Sequence, residues 1–183
     1  TKTDNGASHI LDAIYLGACV DGENGMYQDP NAMRDDLSVS QQELGWCLPT
    51  ADDDENGVLW TEGQPTLVKG TSKTVGVISS GVGYVNAWVD WNQDGDFLDS
   101  QEKIANNMFV SAGTNNLTFA VPATASAGTT YFRIRINKQG NLNSFGPALN
   151  GEVEDYRVRV SENFTGGGGG EKRATQKWSP QRK

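Results

Sequence analysis

The sequence predicts an all-β protein folded as an antiparallel β-sandwich of the jelly-roll or immunoglobulin-like type. Three observations lead to this prediction. Seven short segments alternate apolar and polar residues, turn-forming Gly, Pro, Asn and Ser residues separate them, and their spacing is typical of a sandwich. Because 183 residues suffice to bury one sizeable core, we expect a single domain.

The predicted strands begin after an irregular region that is rich in Asp, Glu, Asn and Gly. In the sixth segment, Phe132, Ile134 and Ile136 share one face and Arg133 and Arg135 share the other, an alternation that an amphipathic helix does not give. In chain order, the seven segments are TLVKG (66–70), KTVGVISS (73–80), GYVNAWVDW (83–91), KIANNMFV (103–110), NNLTFAVP (115–122), TTYFRIRIN (129–137) and EDYRVRVS (154–161).

Composition divides the chain into four parts. We expect residues 1–62 to be a loop-rich segment packed on the sandwich of residues 63–165, so that the two form one domain. Residues 166–170 are a pentaglycine linker, and residues 171–183 form a basic peptide tail that we interpret as appended to the domain.

The charge of the chain is divided unevenly between the domain and the tail. Residues 1–165 carry 10 basic and 22 acidic side chains, a net charge of -12, whereas the last eighteen residues carry +4. An acidic domain repels phosphate backbones, so we expect no nucleic-acid partner and favour cations or basic partners. No segment approaches the roughly 20 apolar residues of a membrane span, so we expect no membrane insertion.

Cys19 and Cys47 are the two cysteines of the chain. They form no CxxC pair and have no nearby histidine that would complete a zinc site. We predict a disulfide between them, which indicates an extracellular location and would contribute on the order of 3 kcal/mol by restricting the unfolded chain. Two buried free thiols are the alternative.

Residues 90–102, DWNQDGDFLDSQE, concentrate oxygen-bearing side chains in one loop. Counted from the first residue, such side chains occupy positions 1, 3 and 5 and a glycine occupies position 6, which is how one loop wraps a hard cation. We therefore predict long calcium-ordered loops and a Ca²⁺ site. Its candidate ligands are Asp90, Asn92, Asp94, Asp96, Asp99 and Glu102.

The outer ligands of this predicted site stay open. Position 12 is Gln101 instead of the glutamate that closes a helical calcium loop, and the flanking segments are predicted strands. An acidic hairpin whose Asp and Gly residues only form turns is the alternative. Crowded carboxylates repel one another, and a bound divalent ion relieves that repulsion. Magnesium fits less well, because it keeps its waters.

Three motifs in order resemble the GEVED domain, a module common in large secreted or surface-attached bacterial proteins: AWVDWNQDGDF, VPATASAGTTYFRIRI and NGEVEDYRVRV. The upstream segments HILDAIYLGACVDGENG, RDD and DDDENGV also resemble the region that often precedes this domain, so the resemblance extends from residue 8 to residue 161. It implies an exported, calcium-binding and non-catalytic sandwich. The two cysteines and the tail are not part of the family pattern.

The acidic residues of the name-giving motif need a role of their own. On a strand, Glu152 and Glu154 point to one face and Asp155 points to the other. We consider three roles for them: a second metal site or partner contact, completion of the cation site at residues 90–102, and salt bridges to neighbouring arginines.

A second acidic cluster precedes the predicted strands. A second calcium site and an acidic turn are equally good interpretations of it. The cluster consists of Asp52, Asp53, Asp54 and Glu55.

Trp88 and Trp91 lie on opposite faces of their predicted strand. One could be an exposed platform for a sugar ring or a peptide side chain, and packing of both in the interior is the alternative. His9 is the single histidine, so no catalytic triad is available and we expect no enzyme.

We expect a recognition module of a secreted or cell-surface bacterial protein or adhesin. Its expected partner is a short basic peptide or protein segment, and the tail of residues 171–183 is one candidate. The alternatives are a calcium-rigidified spacer and a calcium-dependent glycan-binding module.

Overall fold

The computed structural model describes residues 7–10, 13–21, 43–45, 56–60 and 65–163, and these residues contain twelve β-strands. The strands form two main sheets and two short ribbons. Within the described ranges there is no helix, and so none that is long and apolar enough to cross a membrane. The prediction of an all-β sandwich is confirmed.

The two main sheets face each other across the core. From edge to edge, the first sheet consists of β5 (Thr66–Val68), β12 (Glu152–Ser161), β10 (Gly128–Asn137), β7 (Gly83–Val89) and β8 (Lys103–Val110). The second sheet consists of β4 (Val58–Leu59), β6 (Ser72–Ser79) and β9 (Gly113–Ala120). One ribbon pairs β2 (Cys19–Asp21) with β3 (Glu43–Gly45), and the other pairs β1 (Ser8–His9) with β11 (Pro147–Ala148).

The core lies where the apolar faces of the sheets meet. The predicted inner face of β10, Phe132, Ile134 and Ile136, is fully buried. The ring of Phe132 lies 6.2 Å from the ring of Phe119 on β9, which joins the two sheets. From the first 62 residues, Leu16 and Val58 enter this same core, because Leu16 forms a bridge with β6 and Val58 lies on β4.

All seven predicted strands are present, as β5 to β10 and β12. Two pairings depart from the predicted antiparallel pattern, since β5 runs parallel to β12 and β1 runs parallel to β11. The five other strands are two or three residues long, too short for an alternating pattern to show in the sequence.

Cys19 is buried at the start of β2, opposite Gly45 of β3. Cys47 lies outside the described residues, so the disulfide stays a prediction. The register favours it, because β3 ends two residues before Cys47.

The outer face of the first sheet carries the charged side chains that oppose the core residues. Arg133, Arg135 and Trp88 lie there, and residues 138–150 cover them. Leu142 and Ala148 of this covering segment pack with Trp88 in a small second cluster. Phe97, from the acidic loop, packs against the same cluster, so this face connects the loop with the covering segment.

Candidate metal centre

The acidic loop, residues 90–102, begins and ends on the first sheet. Its ends are fixed by two backbone bonds: Val89 donates to the carbonyl of Glu102 at 2.9 Å, and Asp90 donates to the carbonyl of Tyr131 at 3.1 Å. Thr130 also donates its hydroxyl to the carbonyl of Asp90 at 2.5 Å. The sheet therefore holds the first and last acids of the loop beside each other.

The turn inside the loop forms around the carboxylate of Asp90. This carboxylate accepts backbone N–H groups from Gln93 at 2.6 Å and from Gly95 at 3.1 Å. Gly95 has a φ of 90°, so the sharp turn predicted at position 6 is present and requires glycine there. The side chain of Gln93 donates to the carbonyl of Ser126 at 2.9 Å and ties the loop to the turn before β10.

Three of the six predicted ligands come together. One carboxylate oxygen each from Asp90, Asp94 and Glu102 lies within 4.8 Å of the others. Asp90 and Glu102 are only 3% and 1% exposed, whereas Asp94 faces solvent. The two ion pairs in the described part of the chain, Lys69–Glu162 and Arg133–Asp155, include none of the three. We call these three residues the acid cluster.

The other predicted ligands lie at or outside the margin of the acid cluster. The side-chain amide of Asn92 donates to Asp94 at 2.9 Å and to Asp99 at 2.6 Å, so amide hydrogens lie between two carboxylates. Asp96 instead accepts the backbone N–H of Leu98 at 2.9 Å and stabilises the next turn.

Electrostatics show what the clustering does to the two buried acids. Burial, together with the charges of Asp90 and Asp99, raises the pKa of Glu102 to about 7, although the backbone N–H groups of Asp99 and Trp91 oppose this. Burial, and to a lesser extent the charge of Asp94, also raises the pKa of Asp90 against the backbone N–H groups that it accepts. In both groups, burial and the neighbouring carboxylates therefore disfavour the charged form more than the backbone hydrogen bonds favour it.

The donor set fits a hard cation. All three groups are carboxylates, with no sulfur or imidazole among them, which suits Ca²⁺ better than zinc. Calcium binds oxygens at about 2.3–2.6 Å, so ligands on opposite sides of one ion are about 5 Å apart. The three carboxylate oxygens of the acid cluster lie within 4.8 Å of one another, which agrees with this separation of ligand atoms. For Asn92 to present its oxygen to such an ion, its amide would have to turn.

The GEVED motif itself lies away from the acid cluster. Gly151 has a φ of 97°, and a Cβ there would lie 1.8 Å from the carbonyl oxygen of Ile136, so no side chain fits. Asp155 pairs with Arg133 through two hydrogen bonds, one of them 2.7 Å long between Nε and Oδ1. The predicted salt bridge to a neighbouring arginine therefore forms with Asp155.

Glu152 and Glu154 point to the opposite face from Asp155, as predicted, and both are buried. Glu152 accepts the backbone N–H of Leu16, and Glu154 accepts that of Gly57 at 2.9 Å. Neither contact involves the acidic loop, and Arg133 is held by Asp155 and not by a glutamate. The two glutamates hold the N-terminal segments instead, because that face of β12 is covered by those segments.

Trp88 and Trp91 both pack in the interior, so of the two interpretations of the sequence the structure shows packing and not an exposed platform. Trp88 and Trp91 are 3% and 5% exposed, on opposite faces of the sheet, so neither presents an open ring. The physical reason is that both faces of the sheet are covered at this point. The four acids of residues 52–55 lie outside the described residues, and their second calcium site stays a prediction.

An open depression of about 260 Å³ lies beside the acid cluster. Pro122, Thr124 and Ala125, from the turn before β10, form one wall of it, and Trp91, Asp99 and Glu102 are among the residues of the other. This turn was not predicted to belong to the site. Its small polar residues predict a turn, but which loop the turn contacts depends on the sheet order.

Fold and site together define an all-β sandwich module with an acidic inter-strand loop. Residues 84–159 match the GEVED domain model. The match extends from β7 to β12 and includes the acidic loop and the GEVED motif. A search of curated proteins found no match.

Proposed function

We propose that the protein is a non-catalytic, calcium-binding recognition module of a secreted or cell-surface bacterial protein or adhesin, and that it binds a short basic peptide or protein segment. The observation that carries the proposal is the acid cluster, in which two buried carboxylates and one exposed carboxylate converge and form no ion pair with any described basic residue. An extracellular location agrees with the millimolar calcium that such modules often need.

Calcium is the cation that this loop suits best. Asp90, Asp94 and Glu102 would hold it, and the bound ion would supply the positive charge that the two buried carboxylates lack. The sheet fixes both ends of the loop, so the ligands that surround the ion would start close to their binding positions.

Calcium would leave the loop negative enough to attract a basic partner. The loop contains five carboxylates, and one divalent ion leaves a net charge of about -3. Asp99 is an exposed acid that lines the depression, whose other wall includes Pro122 and Ala125. Lysine and arginine can place their apolar stems on such a wall while their charged ends meet the acids.

The tail of residues 171–183 is a candidate ligand on grounds of charge and reach. Lys69 donates its N–H to the carbonyl of Ser161, the last residue of β12, and Gly70 donates to the carbonyl of Val121. The chain therefore leaves the domain close to the Pro122 wall of the depression. A flexible pentaglycine linker would hold the basic tail near it at about millimolar effective concentration.

Glu102→Gln tests the calcium proposal against Asp96→Asn, which removes one charge from the same loop outside the acid cluster. Calcium at about 100 times its Kd should stabilise the wild type by about 2.7 kcal/mol, which raises Tm. We expect Asp96→Asn to keep most of this rise and Glu102→Gln to lose it. A wild-type Tm that does not respond to calcium would exclude the site.

A synthetic peptide of residues 171–183 tests the ligand. The peptide is titrated by calorimetry into the full chain. In that chain, the basic residues of the tail are replaced by glutamine, so that the tail does not compete with the peptide. We expect binding that Asp99→Asn weakens about threefold to tenfold, while Asp96→Asn, a matched charge change at a residue that does not line the depression, has a smaller effect.

The calorimetric experiment also separates the alternatives. Absence of heat in calcium and in chelator would favour the calcium-rigidified spacer. Burial of both Trp88 and Trp91 removes the exposed ring on which the glycan-binding alternative depended.

A further inference from the structure

The guanidinium of Arg135 is buried on the outer face of the first sheet, with the residue 1% exposed. Each of its five N–H groups has an acceptor, and none of these acceptors is a carboxylate. The acceptors are the carbonyls of Asn143 at 2.7 Å, Phe145 at 3.0 Å, Ser8 at 3.2 Å and Gly146 at 2.9 Å, and Nε2 of His9 at 2.9 Å.

Two of these acceptors belong to residues 7–10, which we call the N-terminal strap. The strap pairs with β11 through β1: Ser8 donates its N–H to Gly146 at 3.3 Å, and Ile10 donates to Ala148 at 3.1 Å. The pairing is two residues long, and Ser8 and Ile10 face solvent. The strap therefore depends strongly on what Arg135 and His9 contribute from beneath.

The contacts of His9 require a neutral ring. Nε2 accepts from Arg135 and so carries no proton, while Nδ1 lies 2.8 Å from the carbonyl of Asn150 and donates to it. A second proton would turn the acceptor into a donor that faces another donor. It would also place two cations 2.9 Å apart at a buried position.

Among the described residues, no unpaired carboxylate faces the protonated ring. The neighbouring charged groups on β10 are both cations, Arg133 and Arg135. On the outer face of β12, Val153 is uncharged, and the carboxylate of Asp155 is already bound to Arg133. Burial and the charge of Arg135 lower the pKa of His9 to about 4, although the hydrogen bond to Asn150 opposes this.

We propose that the N-terminal strap is released by acid: protonation of His9 detaches residues 7–10 from β11 and uncovers Arg135 while the sandwich stays folded. This inference goes beyond the proposed recognition function and does not depend on it.

The direction of the pH dependence of strap release follows from the pKa of His9 in the released and attached states. In the released strap the ring has its ordinary pKa of 6.5, so the released state binds the proton more tightly than the attached state. Attachment is therefore strongest above pH 6.5 and weakens as the pH falls toward 4. The ratio of released to attached strap should rise about 30-fold between pH 7.5 and pH 5.0.

Native-state hydrogen exchange of the full chain measures this release. Protection factors, which correct for the intrinsic pH dependence of exchange, are compared at pH 7.5 and 5.0. We expect the amides of Ser8 and Ile10 to lose about 30-fold in protection, while the amide of Ile134 in the core of β10 changes little.

His9→Gln is the matched control, because a glutamine side chain can accept from Arg135 and donate to Asn150 but does not titrate. In this variant the strap amides should keep their protection at pH 5.0. An equal loss in the variant, no loss in the wild type, or a parallel loss at Ile134 would each overturn the proposal.

Since His9 is the single histidine, its ring resonances can be followed by NMR without assignment of others. A His9 pKa well below 6.5 supports the proposal, and a pKa at 6.5 contradicts it.

Discussion

The acid cluster and the site around Arg135 lie beside the same sheet, and they differ in how their buried charges are compensated. The acid cluster brings Asp90, Asp94 and Glu102 together, and none of them pairs with a basic residue in the part of the chain that the structure describes. On the outer face, Arg135 is as deeply buried as Glu102, but every one of its N–H groups has an acceptor from the chain itself.

The difference separates structural charge from charge available for binding. Removing water from a charge is costly unless hydrogen bonds or opposite charges replace it. At Arg135 the covering segment and the N-terminal strap supply those bonds, so each N–H of the guanidinium has a partner within the chain. At the acid cluster the pKa of Glu102 is raised to about 7, because burial and the neighbouring carboxylates outweigh its backbone hydrogen bonds.

Among the substitutions that test this comparison, Arg135→Met should change the free energy of unfolding most. The substitution leaves the His9 ring and the carbonyls of Ser8, Asn143 and Phe145 without the donor that Arg135 supplies, so we expect a loss of about 3–5 kcal/mol in the free energy of unfolding. Arg159→Met, at an exposed position on β12, is the matched control and should change it by less than about 0.5 kcal/mol. Urea unfolding checks both. Equal losses of stability in the two variants would mean that the hydrogen bonds of Arg135 do not cause the loss.

In the absence of metal, Glu102→Gln tests how the buried charge of the acid cluster affects stability. The folded-state pKa of Glu102 lies above its unfolded value of 4.5, so its contribution to stability is present below pH 4.5 and is lost as the pH rises through 7. In chelator, the wild type should therefore lose stability relative to the variant between pH 5 and pH 8. We expect about 1 kcal/mol after solvent screening at the surface loop. Denaturant unfolding at the two pH values measures it, and a gain would contradict the result expected for uncompensated charge.

The pair of Arg133 and Asp155 gives the smallest expected effect. This ion pair is partly exposed, so a double-mutant cycle with Arg133→Met and Asp155→Asn should give a coupling of about 1 kcal/mol. A coupling as large as the effect of Arg135→Met would show that the ion pair, and not the carbonyl-bonded arginine, dominates this face.

Much of the fold could be predicted because alternation is a local signal. The inner face of β10 was predicted residue by residue, and the turn at Gly95 followed from the spacing of oxygens and glycine. The roles of Glu152 and Glu154 could not be predicted, since alternation places them on one face without saying what covers it. Their partners, Leu16 and Gly57, lie more than 90 residues away in the sequence.

The sequence by itself determined the strands, the acidic character of the domain and the composition of the loop, because these depend on neighbouring residues. Tertiary structure alone decided that Glu102 joins Asp90 while Asp96 does not, and that His9 accepts from Arg135. The physical reason is that burial and partners are set by the sheet order, which brings distant segments together and assigns each charged group a neighbour or none.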